Sequence, residues 1–270
     1  MKRTLLFIPY FNDSIGLIRS IKSIPNQANI DLLIIDDGSK KKFNSEVVHQ
    51  LIQEKEIEFK LISHSKNKGI THTRNRALDY FRVENYNYLM FLDCGDTIAP
   101  ERIDLQVKFL EKNKDCMIVG SHVHFVDEKG DYLFDLTLPT SWRKIQRKMF
   151  FNSMLIQPAI TLRVELLETI NKFPENYDAA EDYAFFMSVA QKFRVDNIPQ
   201  FLTTTFVNLK GISNTNRKKQ VISRIRIILK FFKFGYYPIV GLLRSCLLLF
   251  VPLRTTAYLK GLLYSNESKN

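Results

Sequence analysis

Short apolar runs recur along the first third of the chain, at residues 4–9, 31–36, 58–63 and 87–93. Each has strand length. The second and fourth are nearly continuous Leu, Ile and Phe, as in strands covered on both faces. Between them the spacing turns helical: Ile15, Ile18, Ile21 and Ile24 share one face, as do Val47, Leu51 and Ile52, and later Ala77, Leu78 and Phe81. Strand–helix alternation of this kind predicts a mainly parallel, Rossmann-like α/β sheet flanked by helices. In such sheets ligands sit beyond the carboxyl ends of the strands. That rule selects the loops at 9–13, 36–39, 65–69 and 93–96, two of which are acidic.

Further along, the pattern predicts a helix over 100–113, opened by Pro100 and turning Ile103, Val107 and Leu110 inward. A strand over 117–126 follows. The turn Asp127-Glu128-Lys129-Gly130 then leads into residues 132–134. A helix over 142–151, a short strand over 159–162, a helix over 181–193 and an extended run over 196–208 complete the series. Composition changes at Asn214-Thr215-Asn216-Arg217, which separates a domain over 1–213 from a basic, apolar helical extension over 214–270.

Length and composition narrow the class. The 270 residues suffice for one substantial core, and 45% apolar with 25% charged residues argues against disorder. The formal net charge of +11 calls for an anionic partner. Cys94, Cys116 and Cys246 are spaced for neither a disulfide framework nor a metal knuckle, which suits a reducing cytoplasm. The N-terminal apolar run stops at Pro9 without a small-residue cleavage site, so it reads as a buried strand.

Asp36-Asp37-Gly38-Ser39 ends an apolar strand, where a carboxylate can accept from a base N–H or a ribose hydroxyl; an Asp-Gly turn is the plainer alternative. Asp93-Cys94-Gly95-Asp96 follows another. Carboxylates there suit Mg²⁺ or Mn²⁺ bound together with ligand phosphates, although Asp96 also suits a helix cap. Asn67-Lys68-Gly69 and Arg74-Asn75 open a helix whose start offers N–H groups and a guanidinium to an anion. Glu181-Asp182 starts a helix, where negative charge is favourable whether or not it does chemistry.

In this order, Pro9-Tyr10-Phe11-Asn12, Asp36–Ser39, Asn67-Lys68-Gly69, Arg74-Asn75, Asp93–Asp96, Pro100 and Glu181-Asp182-Tyr183 resemble the family 2 glycosyltransferases over residues 3–213. The resemblance implies a GT-A (nucleotide-diphospho-sugar transferase) fold with a donor half over about 1–100 and an acceptor half over about 100–213. It also implies a nucleoside-diphosphate sugar donor, a divalent metal and transfer with inversion. Pro9, Phe11, Asp37, Lys68, Arg74, Asp93 and Asp96 would then line the donor, with Asp93 and Asp96 sharing the metal. Asp182 would be the general base, with Glu181 orienting the acceptor. Two departures stand out. Gly95 occupies the place of the family's usual metal carboxylate, and Lys210 lies where a His is common.

On a helix over 217–234, Lys219, Arg226, Lys230 and Lys233 share one face, and Val221, Ile225, Ile228 and Phe232 the other. That pattern suits an anionic membrane surface on the cytoplasmic side, a partner that fits a lipid-linked or glycan acceptor. Packing on the catalytic domain, or on a second subunit in a homo-oligomer, is the alternative. The segment is too rich in aliphatic and aromatic residues for a nucleic-acid arm. Two other functions compete. A sugar nucleotidyltransferase would need a Gly-rich phosphate loop after the first strand, and Pro9-Tyr10-Phe11-Asn12 supplies none. A membrane-attached scaffold with a degenerate donor site draws its support from Gly95.

Overall fold

The computed structural model describes residues 3–207 and 217–250. The early apolar runs form β1 (Thr4–Tyr10), β2 (Asp31–Asp36), β3 (Glu58–Ser63) and β4 (Tyr88–Phe91). They pair in parallel in the order β3-β2-β1-β4. Joining them are α1 (Ser14–Ser23), α2 (Ser45–Glu54) and α3 (Ile70–Val83). Local chemistry starts the first two helices: Asp13 accepts from the Gly16 N–H, and Asn44 accepts from those of Glu46 and Val47.

Both faces of β1, β2 and β4 are buried, which is why these strands do not alternate, whereas the edge strand β3 is largely exposed. Leu5 and Phe7 of β1 pack with Ala77, Leu78 and Phe81 of α3. Leu6 and Ile8 pack on the other side with Leu17 and Ile21 of α1 and Val48 and Ile52 of α2.

Beyond β4 the sheet is mixed. The remaining elements are β5 (Thr97–Ile98), α4 (Arg102–Lys112), β6 (Cys116–Val126), β7 (Tyr132–Leu136), α5 (Trp142–Lys148), β8 (Thr161–Arg163), α6 (Glu181–Lys192) and β9 (Arg194–Phe206). Strand β8 runs antiparallel to both β4 and β6, while β9 runs parallel to β6 and antiparallel to β5. This order brings the end of β9 beside the loop that follows β4.

Helix α4 buries Ile103 and Leu110 as its spacing predicts, and also Arg102 and Gln106. The Arg102 guanidinium donates to the carbonyls of Phe91 (2.9 Å), Pro158 (2.7 Å) and Ile160 (3.3 Å) and to Gln106 Oε1 (3.1 Å). Burial pulls its pKa down to about 9, against the attraction of Asp96. Hydrophobic periodicity gives no sign that a cation turns inward here to satisfy strand-end carbonyls.

Two further helices follow, α7 (Arg217–Lys230) and α8 (Tyr236–Leu247). Val221, Ile227 and Ile228 of α7 are buried, the latter two within the core cluster that includes α6. The apolar side of α7 is therefore turned to the α/β body, as in the alternative weighed for it. Lys210 lies outside the described residues.

Candidate active site

Strands β1, β2 and β3 end in register, Tyr10 opposite Asp36 and Asp36 opposite Ser63, so their loops gather at one rim. Side chains tie them together. The Asn12 N–H donates to Ser39 Oγ (2.9 Å), the Lys41 N–H to Asn12 Oδ1 (2.9 Å), and the Tyr10 hydroxyl to the Lys41 carbonyl (2.7 Å). Pro9 lies within β1, and Phe11 and Lys68 stand exposed at the rim. Burial works to raise the Asp36 carboxyl, but bonds from Lys42 (2.5 Å) and the Ser39 N–H (2.8 Å) prevail and hold it below the usual carboxylate range.

Asp37 is buried and fully engaged. Its Oδ1 accepts from the Lys68 N–H (2.8 Å) and faces His64 Nδ1 (3.0 Å), and its Oδ2 accepts from the Gly69 N–H (2.9 Å). It latches the loop that opens α3. His64 went unnoticed in the sequence because it lies just past β3, outside the donor motif. Gly38 makes the latch possible: its φ is +71°, and a Cβ there would meet the Lys66 carbonyl carbon at 2.2 Å. Gly38→Ala is expected to destabilise the protein by about 2 kcal/mol and to weaken nucleotide binding, because the left-handed backbone and the contact both resist a side chain. Urea melts and nucleotide titration of the variant check this.

The loop after β4 splits its carboxylates. Asp96 is buried, its Oδ1 accepting from the Phe206 N–H (3.0 Å) and its Oδ2 from Thr205 Oγ1 (3.0 Å) on β9. Burial, with repulsion from Asp93, pushes its carboxyl well above the usual range. The intervening Gly95 donates its N–H to Ser20 Oγ (2.9 Å). Asp93 is the open carboxylate of the loop. Its pKa is raised, first by burial and then by Asp182, while Arg74 pulls it back.

Arg74 joins this loop to α6. The buried guanidinium donates through Nη1 to Glu181 Oε1 (2.8 Å), and its Nη2 lies 3.7 Å from Asp93 Oδ1. Burial raises the Glu181 carboxyl; Arg74 opposes that, and Asp182 and Asp93 add to it. Asn75, the next residue, clamps the approach to α6: it accepts from the Phe173 N–H (2.7 Å) and donates to the Phe173 carbonyl and Glu175 Oε1 (both 3.0 Å). Ala180, in the left-handed region, turns the chain into the helix. Asp182 is half-buried, and its Oδ1 accepts its neighbour Tyr183's N–H (2.7 Å).

A second guanidinium approaches from α7. Arg224 donates to Asn152 Oδ1 (2.8 Å), lies 5.8 Å from the Tyr183 ring centre, and is close enough to Asp182 to feel its charge. Sequence reasoning placed this segment in a separate extension and so missed it.

Asp93, Glu181 and Asp182 thus converge around Arg74, while Asp37 and Lys68 stand at the neighbouring rim. A parallel half-sheet, an acidic loop after β4 and a carboxylate-bearing helix start define a GT-A glycosyltransferase domain. Residues 6–170 match Glycosyl transferase family 2, and the chain belongs to that family.

Among its relatives, an uncharacterized glycosyltransferase of Haemophilus influenzae is 28% identical over 235 residues, covering 85% of this chain and 89% of the relative. One of Methanocaldococcus jannaschii is 28% identical over 191 residues, covering 69% of this chain and 64% of the relative. The chain spans only 29% of a Rickettsia bellii relative. Among solved structures, residues 1–349 of S. aureus TarS superpose with a TM-score of 0.62 at 17% identity, over 89% of this chain and 68% of that one. The mannosyltransferase PcManGT from Pyrobaculum calidifontis, in complex with GDP-Man and Mn²⁺, gives 0.61 at 15% identity, over 90% and 68%. TarS has also been solved with UDP and with UDP-GlcNAc.

Proposed function

We propose that the chain transfers a sugar from a nucleoside-diphosphate donor, a UDP-sugar first among them, to a hydroxyl of a glycan or lipid-linked acceptor. The transfer inverts the anomeric carbon and serves cell-surface polysaccharide synthesis at the inner face of the membrane. The observation that carries this reading is the Arg74 bridge, which sets Asp182 beside the acidic loop. UDP, UDP-GlcNAc and GDP-Man in proteins of the same fold support the donor class.

In this reading Asp37 and Lys68 shape the nucleoside end, and Asp93 meets the ribose or diphosphate. The Asp182 carboxylate takes the acceptor's proton as that oxygen bonds to C1. The C1–O bond to the diphosphate breaks on the opposite side, and its electron pair stays with the departing phosphate oxygen, near the positive charge of Arg74. Glu181 holds Arg74 in place.

The Mg²⁺ or Mn²⁺ implied by the resemblance would rest on Asp93, because both oxygens of Asp96 are committed to β9 and Gly95 offers none. Among the described residues no group of three His, Cys, Asp or Glu stands ready for a metal. The residues present fit a cation held by one carboxylate together with the donor's phosphates rather than by two, and the Arg74 guanidinium beside Asp93 would share the leaving group's charge with it.

Thermal shift with UDP-, GDP-, dTDP- and CMP-sugars, with Mn²⁺ or with a chelator, tests the reading. A saturating UDP-sugar is expected to raise the melting temperature by about 5 °C, and a shift should persist under chelation. No response to any nucleotide would overturn it and favour a scaffold.

A further inference from the structure

Helix α8 packs Tyr237 and Leu242 against the core yet leaves a second row of large apolar residues facing outward. The residues it buries are small or compact: Pro238, Gly241 and Ser245. Gly241 is seated so close to the Phe150 carbonyl that a Cβ would meet its oxygen at 2.2 Å. The outward side carries Tyr236, Ile239, Leu243 and Leu247, with Phe234 and Phe250 at the two ends; Leu243 is 59% exposed, Leu247 65%, Phe250 83% and Phe234 95%. Single exposed apolar residues are ordinary, but a continuous row on one helix marks a surface that meets something.

Charge indicates what it meets. Arg244 on α8 and Lys233 just before it are exposed, as are Arg226 and Lys230 on the preceding helix α7. No Asp or Glu occurs between Asp196 and Glu267 to offset them. A second copy of the chain meeting this face symmetrically would set the same cations against each other. An anionic lipid surface instead takes both the apolar row and the positive rim. The helix lies on such a surface and does not cross it: its 12 residues reach about 18 Å, against a hydrocarbon core of about 30 Å. Among the described residues no helix is long and apolar enough to cross a membrane.

We infer that the outward face of α8, with Phe234 and Phe250, inserts into an anionic bilayer surface while the neighbouring Lys and Arg residues hold its headgroups. This rests on the membrane-borne acceptor only for its biological purpose. It narrows the contact from the whole extension over 214–270 to α8, because Val221, Ile227 and Ile228 of α7 are buried against the protein. Through α7, which carries Arg224 to the site, the inserted helix is mechanically continuous with the region of Asp182.

Co-sedimentation of the full chain with vesicles tests the inference, using phosphatidylcholine alone and equal parts of phosphatidylcholine and phosphatidylglycerol. Partition onto the mixed vesicles is expected to exceed that onto phosphatidylcholine by at least about tenfold at low salt and to fall as salt rises. Leu243→Gln with Leu247→Gln should lower it by about tenfold, and Lys230→Gln or Lys233→Gln by about fivefold each. These exposed positions should leave the melting temperature and the hydrolysis of a soluble donor unchanged, so failed membrane binding and failed transfer are separable. Full-length protein that stays in the supernatant with mixed vesicles would overturn the inference. So would binding indifferent to the Leu changes, or a dimer that those changes dissociate.

Discussion

Asp182→Asn is expected to lower turnover by about two to four orders of magnitude, the range over which a positioned general base contributes. The amide keeps the size of the side chain and can still accept the Tyr183 N–H that Asp182 accepts in the native helix. The fold and the start of α6 should therefore survive. Donor affinity should change by less than about threefold, since the rim at Asp37 and Lys68, proposed to take the nucleoside, is a separate structure held by its own hydrogen bonds. A loss confined to turnover places Asp182 in bond formation. Equal losses in donor affinity and turnover would make it a donor contact, and near-normal turnover would remove it from the base role.

Arg74→Met carries the second large effect, and it acts on structure and chemistry together. The guanidinium is buried and serves Glu181 and Asp93, with Asp182 close by. Without it Glu181 and Asp93 lose the cation they pair with. Breaking a buried pair costs about 3–5 kcal/mol; a loss near 3 is expected, because Asp93 remains partly open to water. The pH dependence has a definite sign. The Asp93 and Glu181 carboxyls are already raised, and Arg74 is the group holding them down. Removing it raises both further, so the variant loses stability relative to the parent as pH climbs through the carboxylate range and recovers toward parity in acid, where both groups are protonated. Urea unfolding of the two proteins at mildly acidic and neutral pH reads this directly. A gap that widened in acid would contradict the assignment. In the proposed reaction the same guanidinium stands near the leaving diphosphate, so turnover should fall by more than about a hundredfold.

Much of the parallel half-sheet was legible because burial on both faces writes continuous Leu, Ile and Phe into β1, β2 and β4. Residues 31–36 and 58–63 formed strands with the predicted ends. The mixed half was readable as elements but not as pairings, since nothing local tells β8 to run antiparallel between β4 and β6. The carboxylates at strand ends were visible as motifs; their partners were not. His64 on Asp37, Thr205 on Asp96 and Glu181 on Arg74 are contacts between residues far apart in the chain. Arg102 and Arg224 were hidden for a different reason, because charged residues are assigned to solvent unless tertiary structure supplies acceptors. Helix α7 showed the correct amphipathic faces, but periodicity alone could not say whether its apolar side would meet lipid or protein.

The claim that Asp182 deprotonates an acceptor opposite the departing diphosphate is tested most directly by the anomeric configuration of the first product. Proton NMR of the glycoside formed from an α-linked nucleotide sugar should show the β-linkage, because a single displacement reverses C1. An α-linked product would contradict the account and require a different role for the Asp93, Arg74 and Asp182 assembly.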